Sequence, residues 1–487
     1  PMIAFWIWIG DLVIQGSLGI RLITVISSSL LLLVLNQLTG RRDIFLLVML
    51  AFSVSTFHIF GFIAVPDAPL LLFAALFFMA YKNYLNDDNA VNTILSGLAA
   101  AGMLYSKYHG ILVILFTLLS NPALFRKRSF YMSAAIGFFA FMPHILWQLA
   151  NELPSYQYHI LNKSHDPYQF KDTIEYLLNI IPIAGPLTAP ILIYAALRLK
   201  TGKDRFLRAM KFNLYGIVLF FLLATLNDRT EANWLAIITI PLLILSHKFL
   251  LTRLRLRRTT LYIALVSVVL LLLIRANLVF NVVPFEGKDE FRGWKEWAES
   301  IHEQAGDKVV VFANSYQKAS KYAYYTGNEA HSLNNILYRK NQFDIWEKEA
   351  DLQGKSIFFV ANWESKRFDR LQTPHGTVFY KHLDDYRSYS RINIKTNTKK
   401  IEAEAGSTIT LPVTIENPYE EPLTIKGSGM QDVKLCCNWF QYEDHMAEDE
   451  IMSINNMLIN KKLSYSLQVK LPDRPGRYMM VISFKAG

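Results

Sequence analysis

Long apolar runs separated by short polar breaks fill the chain from Ile20 to Phe280, and from Glu286 onward the apolar stretches become short. The first pattern belongs to lipid and the second to water. A helix that crosses a bilayer needs about 20 mainly apolar residues. Ten segments meet or approach that length: 20–38, 44–62, 68–85, 90–104, 109–120, 130–150, 179–197, 212–227, 232–248 and 260–280. The fourth and fifth are short. A single helix through 90–120 would place Lys107 in the lipid, at a cost of about 2.5–3.5 kcal/mol on insertion scales. A tight turn at Tyr105-Ser106-Lys107-Tyr108-His109-Gly110 avoids that cost.

Charge tests the choice. With ten spans, one side receives Arg41, Arg42, Lys82, the Arg126–Arg128 run, six Lys/Arg between Arg198 and Lys211, and five between Lys248 and Arg258. The other side's loops hold only Lys107, Lys163, Lys171 and Arg229. Lys and Arg concentrate on the cytoplasmic side of membrane proteins. The rule therefore places the basic loops inside and everything after residue 281 outside. Arg21 and Arg275 fall near outer span ends, where long side chains reach the interface.

The outer part reads as two units. Over 286–387, Trp294 to Gln304 is helical in pattern, while 308–312 and 356–360 read as buried strands, so this stretch is a small α/β layer. Over 388–487, alternation at 408–415 and 478–484 with turn signals between reads as a β-sandwich. The expected fold is thus a mainly α polytopic body over 1–285, an α/β domain over 286–387 and a β-sandwich over 388–487.

Composition sharpens this. The chain is 52% hydrophobic and 18% charged, too apolar for a soluble protein of its 487 residues. A net charge of +10 raises nucleic acid as a partner, but the cations sit in short clusters between apolar runs, so membrane topology accounts for them and nucleic acid is excluded. The two cysteines, Cys436 and Cys437, are adjacent. Neighbouring Cα atoms lie about 3.8 Å apart, below the usual disulfide span of about 4.4 Å. No Cys/His cluster suggests zinc.

The ten-span arrangement gathers His58, Asp67, Lys107, His109, His144, Gln148, Glu152, Asp228, Arg229, Glu231 and Asn233 at the outer face. Three motifs stand out. Asp67, in Val65-Pro66-Asp67-Ala68-Pro69-Leu70, is placed to cap a helix; it is equally a carboxylate that orients or deprotonates an acceptor, or holds a metal. Lys107 is a snorkelling lysine or a phosphate ligand, with Tyr108 and His109 as hydrogen-bonding neighbours or as part of an interfacial aromatic belt. In Asp228-Arg229-Thr230-Glu231-Ala232-Asn233-Trp234, the charges either cap a helix start or divide labour. In the second case Arg229 grips phosphate, Glu231 and Asn233 face a sugar, and Trp234 stacks on it. His58 and His144 read as packing residues.

These three motifs, in this order, resemble the bacterial protein mannosyltransferase-like superfamily, polytopic GT-C glycosyltransferases that include the aminoarabinose transferases acting on lipid A. Pro1-Met2 resembles the end of that family's His-Pro-Pro motif, so the chain reads as truncated at its N-terminus. Ala313-Asn314-Ser315-Tyr316-Gln317 and Asn341-Gln342-Phe343-Asp344 resemble patterns of this branch's outer domain. The resemblance covers roughly 1–360. It implies a polyprenyl-phosphate sugar donor, an acceptor in the periplasm (lipid, glycan or protein), a bacterial inner-membrane location and inversion at the anomeric carbon. It also implies an acidic residue on a first outer loop that would precede Pro1. Asp67 and Glu231 are then catalytic candidates. Lys107, Tyr108, His109, Arg229, Asn233, Trp234, Asn314, Tyr316 and Gln317 are candidates for the carrier phosphate and sugar, and a divalent metal is left open. The rival readings are a transporter or flippase of polyprenyl-linked sugars, and a non-catalytic assembly protein of the membrane.

Overall fold

The computed structural model describes residues 1–486 except 152, 157–167, 284–290, 337, 339, 347, 399, 420–421, 427–431 and 442–443. Glu152, Lys163 and the expected boundary at 285/286 lie outside the described residues. The chain divides into two compact units, Pro1–Ala150 with His165–Val283, and Asn151–Ser164 with Pro284–Gly487.

The first unit is helical: α1 (Met2–Val13), α2 (Ser17–Leu38), α3 (Ile44–Phe52), α4 (Ser55–Phe60), α5 (Asp67–Asn86), α6 (Ala90–Ser106), α7 (Gly110–Ser120), α8 (Arg128–Ala150), α10 (Phe170–Ala184), α11 (Ala189–Arg198), α12 (Arg205–Ala224), α13 (Thr239–Leu250) and α14 (Leu254–Phe280). A short turn, α9 (Pro154–Tyr156), belongs to the second unit. A 3₁₀ segment, Ala232–Ile238, leads into α13.

All ten expected segments are helical, but their lengths correct the count of spans. Among the described residues, six helices are long and apolar enough to cross a bilayer alone, and a bent pair makes seven. The expected second span is broken at Ser53 into α3 and α4. The expected seventh falls on α10 and α11, which meet at 92°. Between them Gly185 sits at φ +107, in a region other residues avoid, and Pro182 lies in the last turn of α10. The chain turns at Lys107–His109, so α6 and α7 are separate, short helices.

Burial sorts the helices. The most apolar stretches of α5 and of 232–250 are 67% and 83% buried, while those of α8 and α14 are 6% and 17%. The first two form the protein-facing centre and the others present apolar side chains outward. Small residues bring helices close. A Cβ on Gly97 would lie 2.5 Å from the Ser133 carbonyl of α8, and one on Gly10 would lie 2.1 Å from the Gly19 carbonyl of α2. Helix starts are capped by Asp43 on Leu46 N–H (3.1 Å), Asn89 on Asn92 N–H (2.9 Å) and Asp204 on Leu207 N–H (3.0 Å).

The second unit opens with α15 (Trp294–Ala305), β1 (Val309–Ala313), α16 (Tyr316–Thr326), β2 (Ala330–Leu333), α17 (Gln342–Ile345), β3 (Ile357–Ala361), β4 (Asp369–Thr373) and β5 (Gly376–Leu383). Its sheet runs β2-β1-β3-β5-β4, with β1 parallel to both β2 and β3 and with β5 antiparallel to β3 and β4. Trp297, Ile301, Phe312, Tyr322 and Phe358 pack one face.

A β-sandwich follows. One sheet is β10 (Asp444–Ser453), β9 (Val433–Gln441) and β13 (Met479–Ala486); the other is β12 (Lys462–Lys470), β7 (Thr408–Glu416) and β6 (Asn393–Lys395). A pair of two-residue strands, β8 (Leu423–Thr424) and β11 (Leu458–Ile459), lies beside them. Val413, Ile415, Leu467 and Val469 from one sheet meet Leu435, Cys437 and Trp439 from the other. Both cysteines are free thiols on β9, and burial pushes Cys437 up to about 12.

Glu349 is buried in a 3₁₀ turn before β3, and Ser390 donates a hydrogen bond to its Oε2. Gln353 closes the same seam, donating to Ser388 O at 2.6 Å and accepting from Ser388 N–H at 3.2 Å. Burial, opposed by Ser390 and Arg391 and assisted by Asp344, raises Glu349 to about 7 from its ordinary 4.5. The folded chain then binds a proton that the unfolded chain has released, so stability falls as pH rises from 4.5 to about 7 and levels above it. Glu349→Gln is expected to stabilise this unit at pH 8 by about 3 kcal/mol and to change little at pH 4. Pulse proteolysis of the full chain in urea at both pH values measures this, and equal gains at both would contradict it.

Candidate functional site

Asp67 is the first residue of α5, and it does not cap that helix: the cap position is Pro66 and no side-chain cap bond forms. Its carboxylate turns instead to Lys107, just past the end of α6. Lys107 Nζ lies 2.9 Å from Oδ1 and 3.2 Å from Oδ2. Asn233, in the 3₁₀ segment before α13, donates Nδ2–H to Oδ2 at 3.1 Å. Three stretches of chain, 40 and 166 residues from Asp67, thus meet on one carboxylate.

Burial distinguishes the partners. The Asp67 side chain is 3% exposed and that of Lys107 is 19% exposed. The acid is enclosed, and the lysine side chain is partly exposed. A buried charge without a partner is costly, so the pair accounts for how a lysine and an aspartate persist here.

Beside it Tyr108 builds a second polar group on the same turn. Its hydroxyl lies 2.7 Å from His144 Nε2 and accepts from Gln148 Nε2–H at 3.2 Å. His144 and Gln148 are one helical turn apart on α8 and both are buried. Sequence reasoning assigned neither a role; the i,i+4 spacing of two polar residues on an otherwise apolar helix was the available signal. The His109 ring packs edge-on against Trp234 and Phe221, with centroids 4.9 and 5.2 Å away. Asn233 and Trp234 are thereby tied to Asp67 and His109 respectively, and the turn 107–109 and the segment 232–238 form one wall.

Two other candidates stand apart from that carboxylate. Arg229 is 65% exposed and its nearest acid is Glu175 of α10, at 3.6 Å. Glu231, two residues before Asn233, is exposed, and no ion pair forms on it among the described residues. Asn314, Tyr316 and Gln317 lie in the second unit. Asn314 follows β1 at φ +50, exchanging bonds with Asn335 through Nδ2 (3.0 Å) and Oδ1 (2.9 Å), while its carbonyl accepts from Asn362 (3.1 Å). Strand β1 lies between β2 and β3, so Asn314 sits at the carboxyl end of the strands where the order reverses, the usual crevice of such sheets. Tyr316 and Gln317 begin α16. Among the described residues, no three His, Cys, Asp or Glu side chains gather as a metal site.

The end of the helical unit opposite Asp67 is basic. Lys82, on the last turns of α5, is 15 residues from Asp67, about 22 Å along a helix. Around it stand Arg42, Lys203, Arg205 and Lys248. Acid, amide and phenol groups thus gather at one end and unpaired cations at the other.

Comparison with known proteins agrees with this architecture. Residues 1–147 match the family model of dolichyl-phosphate-mannose-protein mannosyltransferase. The fold is similar to that of ArnT from Cupriavidus metallidurans in the apo state, with a TM-score of 0.56 at 12% identity, covering 78% of this chain and 87% of that one. It is equally similar to the same protein bound to undecaprenyl phosphate, with a TM-score of 0.56, 10% identity and the same coverage. No curated protein matches in sequence.

The paired charges make a stability prediction. Lys107→Met leaves the Asp67 carboxylate enclosed with only Asn233, and is expected to cost about 3–5 kcal/mol. Asp67→Asn combined with Lys107→Met is expected to recover most of that loss. A double-mutant cycle of thermal unfolding in detergent tests it; additive losses would show that the pair is not coupled.

Proposed function

We propose that this chain, a multi-pass membrane protein with an ArnT-like GT-C fold, is a glycosyltransferase that moves a sugar from a polyprenyl-phosphate carrier to an acceptor in the bacterial envelope. The observation that carries the reading is the convergence of Asp67, Lys107 and Asn233 at the end of the helical unit away from the basic loops. The positive-inside rule supports a periplasmic site and a periplasmic second unit.

The chemistry assigns the parts. A sugar on phosphate already carries a leaving group, so the protein must neutralise that phosphate, orient the acceptor and take its proton. Lys107, held by a buried acid and partly exposed, presents a fixed positive charge to the carrier phosphate. Asp67 spends its oxygens on Lys107 and Asn233, which makes it the residue that positions both. Glu231, exposed and two residues from Asn233, is the proton acceptor. The acceptor hydroxyl oxygen bonds to the anomeric carbon while the bond from that carbon to the phosphate oxygen breaks. The phosphate keeps the electron pair and the hydroxyl proton passes to Glu231. One displacement of this kind inverts the anomeric centre. Tyr108, His109, Arg229 and Trp234 line the approach, Arg229 as a second cation beside Glu175.

The test is transfer by the full-length protein in liposomes with polyprenyl-phosphate sugars. Lys107→Ala and Glu231→Gln are expected to lower turnover about 10²–10³-fold, in line with removal of one electrostatic or acid–base group. Asp67→Asn is expected to lose comparable activity through a displaced Lys107. Undiminished transfer in the Lys107 and Glu231 variants would refute the proposal.

A further inference from the structure

The basic end of the helical unit is more than a set of charged loops. A bowl of about 570 Å³ opens there between the end of α2, the end of α5, the start of α12 and the last turns of α13. Its floor is apolar or buried: Leu38, Leu85, Phe206, Leu207, Ile244 and His247. Its rim carries five cations, Arg42, Lys82, Lys203, Arg205 and Lys248, and a single carboxylate, Asp204.

Orientation of a membrane protein requires only that cations lie in the loops. It does not require them to surround one concavity, nor to lack counter-charges. Here the local acids are already used. Asp204 caps α12 through Leu207 N–H at 3.0 Å, Asp43 is held by Arg257 at 2.5 Å, Asp88 by Lys127 at 2.8 Å, and Asp87 accepts from Asn89 Nδ2–H at 2.6 Å. Among the described residues Arg42, Lys203, Arg205 and Lys248 form no ion pair. Lys82 is fixed in place, donating to Leu38 O at 2.9 Å with its ammonium 5.4 Å from the Phe206 ring.

His247 closes the floor: it is 0% exposed and its Nε2 lies 3.3 Å from Asp43 O. The site therefore offers several cations without ion-pair partners among the described residues and an apolar floor, at the level where the helices leave the lipid.

We propose that this bowl binds the phosphate headgroup of an anionic membrane lipid in the leaflet at the basic end of the protein. The cations take the phosphate oxygens, and Leu85, Phe206 and Ile244 take the adjoining glycerol and first methylenes. Basic pockets between helices are the form that anionic headgroup sites take. The site is separate from the Asp67 end, and its failure or success leaves the transfer reaction untested.

The experiment titrates the purified full chain in neutral detergent with dioleoyl phosphatidylglycerol, dioleoyl phosphatidylcholine and inorganic phosphate, reading bound lipid by native mass spectrometry. Phosphatidylglycerol is expected to bind at least tenfold more tightly than phosphatidylcholine. Arg42→Gln with Lys248→Gln is expected to weaken it about tenfold. Arg255→Gln with Arg258→Gln removes the same charge from exposed residues outside the bowl and is expected to change affinity less than twofold. An unchanged thermal unfolding profile without lipid confirms that both double variants fold. Equal losses in the two pairs would mean diffuse attraction and overturn the proposal, as would equal binding of the two lipids. Inorganic phosphate binding as tightly as phosphatidylglycerol would assign the bowl to a soluble phosphate compound and overturn its lipid occupant.

Discussion

A lysine and an aspartate placed among apolar helices must find each other, and the Asp67–Lys107 pair is the constraint on which its end of the helical unit rests. Neither charge is stable there alone. Their contact fixes the start of α5 against the end of α6. That in turn sets where α6 stops, forces the turn at 107–109 and starts α7 only at Gly110. Asn233 joins the same carboxylate and brings in the segment that leads to α13. Close helix contacts at Gly97 and Gly137 hold α8 against α6, so that His144 and Gln148 reach Tyr108 on the very turn the ion pair defines.

The two ends of the helical unit solve opposite electrostatic problems. At the Asp67 end, acid and cation are paired and largely enclosed, and the amide of Asn233 takes up what the pair leaves over. At the other end, cations outnumber acids, and the acids present are engaged by a helix cap, Arg257, Lys127 and Asn89. A helix such as α5 carries both conditions at its termini, so one element distinguishes the two ends of the unit.

Much of this was legible in the sequence. Apolar runs mark helices wherever lipid or protein covers them, so the ten segments were found, and alternation marked the strands of the sandwich such as 408–416 and 479–486. The turn at Lys107 was legible because a charge in lipid has a known cost. What hydropathy does not carry is backbone geometry. The break at Ser53 and the 92° bend at α10–α11 leave the apolar character of the chain unchanged, and only Pro182 and Gly185 hinted at the second. Nor does it carry partners. That Asp67 would pair with Lys107 rather than cap its own helix depends on how two helices pack, and nothing local to either residue states it. Asn314 was noticed as a pattern, but its left-handed backbone and its place between β2 and β3 emerge only from the strand order.

This pairing bears on how two acids divide a reaction between them. A proton acceptor needs free lone pairs and access to the incoming hydroxyl. Asp67 lacks the access, since its side chain is 3% exposed, and Lys107 and Asn233 take three of its roughly four lone-pair sites. Glu231 has both, standing exposed at the start of the segment that Asn233 anchors. In the proposed transfer, the enclosed acid therefore acts through the cation it holds and the open acid acts on the acceptor. The two are neighbours of one segment, 232–238: Asn233 fixes it to Asp67 and Trp234 to His109, and Glu231 directly precedes it.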